Sequence, residues 1–184
     1  VVFRERPREG LDLSSVTGGG PLRLMTIYDR GTVGLTGPTR ADVRPAEGGR
    51  NNFNNLLRNI GSAEHDPFSG GTYGFGKAAL YSASRVNTNL VHTSCWYEGR
   101  LTQRFIGSAL GAQYDDHGAR FTGRHWWGDT QNQLTQDEFA EPVTDTEAAD
   151  LARSLGMLGF ESGETGTSIL IVDPEIDPEY AVQA

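Results

Sequence analysis

Twenty-four glycines in 184 residues, gathered into clusters rather than spread evenly, set the tightest limits on what this chain can fold into. The clusters are Gly18–Gly20, Gly31–Gly37, Gly48–Gly49 and Gly70–Gly76. Glycine tolerates positive φ and close backbone approach, and it weakens the interior of helices and strands. Regular elements must therefore lie between these clusters, and the clusters themselves are turns or ligand-holding loops. The triplet Gly18-Gly19-Gly20 reads as a flexible turn only. No internal repeat is present.

Between the clusters, Leu22–Tyr28 alternates Leu22, Leu24, Thr26 and Tyr28 with Arg23, Met25 and Ile27. It reads as a strand, buried on at least one face, that ends at Asp29. Thr32–Arg50 reads as loop. Phe53, Leu56, Leu57 and Ile60 give Asn51–Ile60 a helical spacing that Gly61 stops. After a second loop, Ala78–Ser84 suits a helix. Arg85–Glu98 and Arg100–Leu110 read as strands joined by a hairpin turn at Glu98-Gly99. Ala119–Trp127 reads as a further strand. Thr144–Met157 reads as a helix capped by Thr144 or Thr146, with Ala149, Leu151, Ala152, Leu155 and Leu158 inward. Thr167–Val172 closes the order as a strand. This sequence of elements predicts an α/β chain of the α+β kind, a two-layer sandwich in which one mixed, mostly antiparallel sheet is covered by helices on one face.

The length suits one domain. No apolar run approaches the roughly 20 residues of a membrane span. A net charge of −8 argues against gripping nucleic acid through the bulk field of this domain, while leaving room for a local site for a small anion. The single cysteine, Cys95, excludes an intrachain disulfide and fits a reducing cytoplasm. Beside Trp96 in a strand it reads as core. His65, His92, His117 and His125 lack metal-ligand spacing. Asp115-Asp116 reads as a solvated turn, and Arg124-His125-Trp126-Trp127 as a strand with one tryptophan in the core. The acidic Asp145, Glu147 and Asp150 sit where a helix N-terminus favours negative charge.

Three motifs carry chemistry. In Asp29-Arg30-Gly31-Thr32-Val33-Gly34 a carboxylate ends a strand and glycines follow. A fixed carboxylate accepts from the exocyclic amino group of adenine, and the glycines let backbone approach a purine face. The same pattern also suits a plain turn. In Gly70-Gly71-Thr72-Tyr73-Gly74-Phe75-Gly76-Lys77, backbone N–H groups, a helix N-terminus and a lysine can converge on phosphate. A tight connecting loop is the structural alternative. In Gly163-Glu164-Thr165-Gly166-Thr167, a hydroxyl opens a strand and can support a water or the adenine edge, or simply shape a turn.

In order and separation, Asp29-x-Gly31-x-x-Gly34, Gly71–Lys77 and Gly166-Thr167 resemble the ATP-binding domain of the gyrase, Hsp90, histidine kinase and MutL superfamily, the GHKL or Bergerat fold. The likeness runs from Leu22 to Asp173, and Gly71–Ser84 looks most like bacterial members of unassigned role. It implies an N-terminal extension at 1–21 and an ATP-binding domain at 22–184 with a flexible lid at about 35–69. It implies that Asp29 binds the adenine amino group, that Gly31 and Gly34 bend around the base, and that Gly71, Thr72, Tyr73, Gly74, Phe75, Gly76 and Lys77 form the phosphate box. Thr167 then supports Asp29 or a water. The implied ligands are ATP and Mg²⁺, with a homodimer as a family habit. The superfamily places a helix bearing a general-base glutamate and a Mg²⁺-binding asparagine before the first strand. Here Glu5 and Glu9 lack that context, so no catalytic residue is assigned and the Mg²⁺ ligand is expected upstream. The expectation is an intact protein that hydrolyses ATP and a piece that binds it with little turnover.

Three other readings stand beside it. A non-catalytic, nucleotide-gated interaction module would keep the same fold. A P-loop would use Gly71–Lys77, but Ala78 occupies the position of the Mg²⁺-binding hydroxyl and no buried strand precedes the loop. A dinucleotide fold through Gly74-x-Gly76-x-x-Ala79 lacks its strand as well.

Overall fold

A computed structural model describes residues 10–59, 75–130 and 140–175, with residues 75–77 described as backbone only. The chain runs through a short helix α1 (Ser14–Thr17), strand β1 (Leu24–Arg30), a π-helical turn (Asn54–Arg58), α2 (Phe75–Ser82), β2 (Thr88–Tyr97) and β3 (Arg100–Leu110). The short strands β4 (Tyr114–Asp116), β5 (Ala119–Phe121), β6 (Arg124–Trp127) and β7 (Val143–Thr144) follow, then α3 (Asp145–Ser154) and β8 (Gly166–Val172). The main sheet has the order β1-β8-β2-β3-β6, with β7 also paired to β3, while β4 and β5 form a separate ribbon. Every described pairing is antiparallel. The chain thus has the expected α+β class, and among the described residues none of the parallel pairing on which P-loop and dinucleotide folds are built is present.

Local turn chemistry explains the two hairpins. Glu98 and Gly99 both hold positive φ, at 50° and 78°, the combination a two-residue turn between twisted strands requires. His117 and Gly118 repeat it, at 47° and 81°. Asp115 and Asp116 therefore lie in β4 and not in the turn, which falls two residues later than expected. The expected strand 119–127 is two strands, because the chain bends at Gly123 with φ 77° and its backbone there packs against Gly111 and Ala112.

Period-two alternation divides the central strands between two cores. Leu90, Phe105, Leu170 and Val172 face a cluster closed by Ala148, Ala152 and Met157, so α3 covers that side. Their neighbours Val91, Ile106 and Ile169 face the other side, against Leu35, Phe53 and Leu57. Cover thus extends to both faces, where one was expected. Trp127 packs on the first cluster and Trp126 on the second, so both tryptophans contribute rather than one. In α3, Ala148 and Ala152 are the buried positions, whereas Leu158 lies beyond the helix and is exposed. Thr144 is the N-cap residue but makes no side-chain capping bond. Instead the Asp145 carboxylate accepts from the Gln103 N–H at 3.2 Å and pairs with Arg100 at 3.2 Å.

The second face is fastened by a buried arginine. Arg104 is 3% exposed and donates to the Leu35 and Gly37 carbonyls at 2.9 and 2.8 Å. Its guanidinium lies over the Tyr97 and Phe53 rings at 4.7 and 5.5 Å, and burial pulls its pKa down. Arg58 adds bonds to the Thr39 and Ala140 carbonyls at 2.7 Å each. Of the described part of the expected lid, residues 35–40 and 51–59 therefore pack against the sheet while 41–50 are mostly exposed, and residues 60–69 lie outside the described residues.

Candidate nucleotide site

Strand β1 delivers Asp29 to the sheet edge. Its only described neighbour is β8, and register sets Asp29 opposite Thr167, which in turn faces Thr93 of β2. Opposed residues in an antiparallel pair share a face, so Asp29, Thr167 and Thr93 line up across three strands on the face covered by residues 35–58. The expectation that β1 is buried on one face is not met. Leu24, Ile27 and Tyr28 are 42%, 48% and 53% exposed, because an edge strand has one neighbour and residues 35–58 do not reach over it.

One oxygen of the Asp29 carboxylate is already committed. Oδ1 accepts from Thr32 Oγ1 at 2.5 Å and from the Thr167 N–H at 3.0 Å. Oδ2 has no partner among the described residues, and the side chain is exposed. The carboxylate is thus oriented by two donors with a second oxygen left to accept from a ligand. The turn behind it is closed by the Gly31 N–H to the Thr165 carbonyl at 2.8 Å and by Thr165 Oγ1 to the Thr32 carbonyl at 2.5 Å.

The two motif glycines serve different ends. Gly31 has φ 71° with open space where a side chain would stand. Gly34 has φ 64°, and a Cβ there would lie 2.3 Å from the Ser94 carbonyl oxygen and 3.0 Å from Thr93 Oγ1. No side chain fits at Gly34 without moving backbone. The close approach lets the Leu35 N–H donate to Thr93 Oγ1 at 2.9 Å, while Thr93 Oγ1 donates to the Gly166 carbonyl at 2.8 Å. Thr93 therefore ties the Asp29 turn to the start of β8. Gly166 is held equally close, since a Cβ there would meet the Asp29 carbonyl oxygen at 2.5 Å.

Of the expected phosphate box, Gly71, Thr72, Tyr73 and Gly74 lie outside the described residues. Phe75, Gly76 and Lys77 are described only as the backbone opening α2. The later part of that helix is placed firmly. Tyr81 Oη and Ser108 Oγ lie 3.0 Å apart, and Leu80 and Tyr81 line a small gap with Asn89, Val91 and Ile169. Those three sheet positions share their face with Thr93, Thr167 and Asp29 by alternation along β2 and β8. The helix that the glycine box leads into thus packs on the face that carries Asp29.

Sequence reasoning missed Thr32, Thr93 and Thr165. Thr32 lies inside the quoted motif and its hydroxyl spacing from Asp29 is a known turn pattern, so a signal existed. Thr93 becomes visible only once β2 is set beside β8. Cys95 is fully buried and burial pushes its thiol pKa up, in keeping with a core role. Among the described residues no group of three or more His, Cys, Asp or Glu could hold a metal, so Mg²⁺ is assigned to none of them. Nor is any described helix long and apolar enough to cross a membrane. Comparison of the chain with family models, with curated proteins and with solved structures returns no match.

Proposed function

We propose that this chain is the nucleotide-binding part of a GHKL-type ATPase, with Asp29 accepting the adenine amino group and the loop entering α2 holding the phosphates. The observation that carries the reading is the half-committed carboxylate: Thr32 and the Thr167 N–H hold Oδ1, and Oδ2 faces solvent beside a turn whose Gly34 admits no side chain. Preorganised acceptors of this kind discriminate because a ligand lacking the donor leaves them unpaired. The placement of α2 on the Asp29 face supports one cleft shared by base and phosphates. The cytoplasmic setting rests on the sequence alone. Coupling of the nucleotide cycle to an output domain, hydrolysis in the intact protein and dimerisation are parts of the same proposal.

Isothermal titration with ATP and adenosine tests it. Asp29→Asn should weaken both by about 1–3 kcal/mol, the scale of a hydrogen bond to a charged group, with the fold kept. Lys77→Ala should weaken ATP more than adenosine, and equal losses would remove the phosphate assignment. A phosphate-release assay on the same chain separates the two functional classes, since binding without release supports a nucleotide-gated module.

A further inference from the structure

Beyond the strand ends, the chain forms a concavity that starts at the turn behind Asp29 and extends over residues the nucleotide reading does not use. It is a groove of ≈ 780 Å³, the size range of small-molecule sites. Trp96 and Tyr97 supply aromatic surface, and Val33, Val43, Pro38 and Pro45 are among its apolar lining. Arg44 and Arg50 also line it, and Glu98 is the one acidic residue that does.

Three independent observations converge there. Trp96, at 58%, is the most exposed of the large hydrophobic side chains described. Single exposed apolar residues are ordinary, but Val33 and Val43 join it in the same groove at 44% and 45%. Arg44 and Arg50 are exposed and have no ion pair or side-chain hydrogen bond among the described residues. Most other described arginines are engaged: Arg23, Arg100 and Arg153 with carboxylates, Arg58 and Arg104 with carbonyls. In a chain of net charge −8, two uncommitted guanidinium groups beside an open indole are complementary to one kind of small ligand.

We propose that this groove is a binding site for a small planar aromatic anion, with the ring against Trp96 and the anionic group held by Arg44 and Arg50. Aromatic faces stack on flat ligands, and guanidinium groups fork onto carboxylate, sulfonate or phosphate oxygens. Glu98 disfavours a second negative charge on the ligand's far side. The groove shares Gly31, Thr32 and Thr165 with the turn behind Asp29 but not Asp29 itself, so its occupancy is separable from adenine binding.

The test uses 2-naphthalenesulfonate, with 2-naphthalenemethanol as its uncharged counterpart, titrated by calorimetry against the whole chain. The sulfonate should bind about tenfold or more tightly than the alcohol, the scale of one charge-assisted contact. Arg44→Gln combined with Arg50→Gln should erase that preference, and Trp96→Ala should weaken both probes while Trp96→Phe retains them. All three positions are exposed, and unchanged circular dichroism will show that the variants fold. Equal affinity for the two probes, or unaltered binding to Trp96→Ala, overturns the proposal. Asp29→Asn should leave sulfonate binding unchanged, so a failure of the nucleotide reading and a failure of this one give different results.

Discussion

Strand β2 lies between β8 and β3, and eight of its ten residues are buried; among the described strands β1 has β8 alone, and none of its seven residues is buried. The difference separates two jobs. The central strands hold apolar residues of both cores and fix the register of everything around them. The edge strand contributes little packing and carries Asp29, the carboxylate proposed to meet a ligand. Exposure is what a binding residue needs, and a rigid neighbour is what keeps it oriented. Asp29 has both, since its Oδ1 is held by the backbone of β8, which is itself locked against β2.

Mutations can break this contrast in graded steps. Phe105→Ala, in the core under α3, should cost about 3–5 kcal/mol in chemical denaturation, the range for emptying an aromatic core site. Gly34→Ala should cost roughly 2–4 kcal/mol, because positive φ adds to overlap with the Ser94 and Gly166 carbonyls and the Thr93 hydroxyl, and it should also displace Asp29. Gly31→Ala, three residues earlier, meets open space and should cost only about 1 kcal/mol for its φ. At the edge, Ile27→Ala should fall below about 1 kcal/mol, since nearly half of that side chain is already in water. If Ile27→Ala matched Phe105→Ala in cost, β1 would be a core strand and the contrast would fail.

Acid offers a second probe of the buried side. Burial lowers the pKa of His92 and of His125, with Gln103 opposing the shift at His92. Each ring is then favoured neutral in the fold, whereas the unfolded chain takes up a proton near the ordinary imidazole value of about 6.5. The stability they contribute is complete above that value and is lost as pH falls toward each ring's own lowered value. The denaturant midpoint should therefore drop between neutral pH and mildly acidic pH, and His92→Phe should flatten part of that slope. His92 sits between the Phe105 and Phe160 rings, at 6.5 and 4.9 Å, so phenylalanine has an apolar setting there.

How far the sequence leads follows from how local each signal is. Glu98-Gly99 marks a hairpin by itself, and the structure has that hairpin. Asp29, Gly31 and Gly34 are neighbours in sequence, so their shared turn was legible, as was the opening of β8 at Gly166-Thr167. The burial of β1 was not. Its alternation matches that of a core strand, and only the sheet order, which depends on β8 returning from more than a hundred residues away, makes it an edge. Thr93 was hidden for the same reason. Asp115-Asp116 was misplaced because two aspartates and the pair His117-Gly118 both suit a turn, and φ decided between them. Thr32–Arg50 reads as loop by composition, and the anchor that packs its Leu35–Gly37 stretch is Arg104, a charged residue that no hydrophobic pattern would place in a core.

Cys95 gives the scaffold a built-in reporter. Its sulfur is the only thiol in the chain, is fully buried and donates to the Leu35 carbonyl that Arg104 also binds. An alkylating reagent can reach it only when β2 parts from its cover, so the rate of labelling times how often that happens. A ligand that clamps the 29–34 turn onto β2 should slow the reaction, so labelling would report occupancy of the proposed site without any added dye.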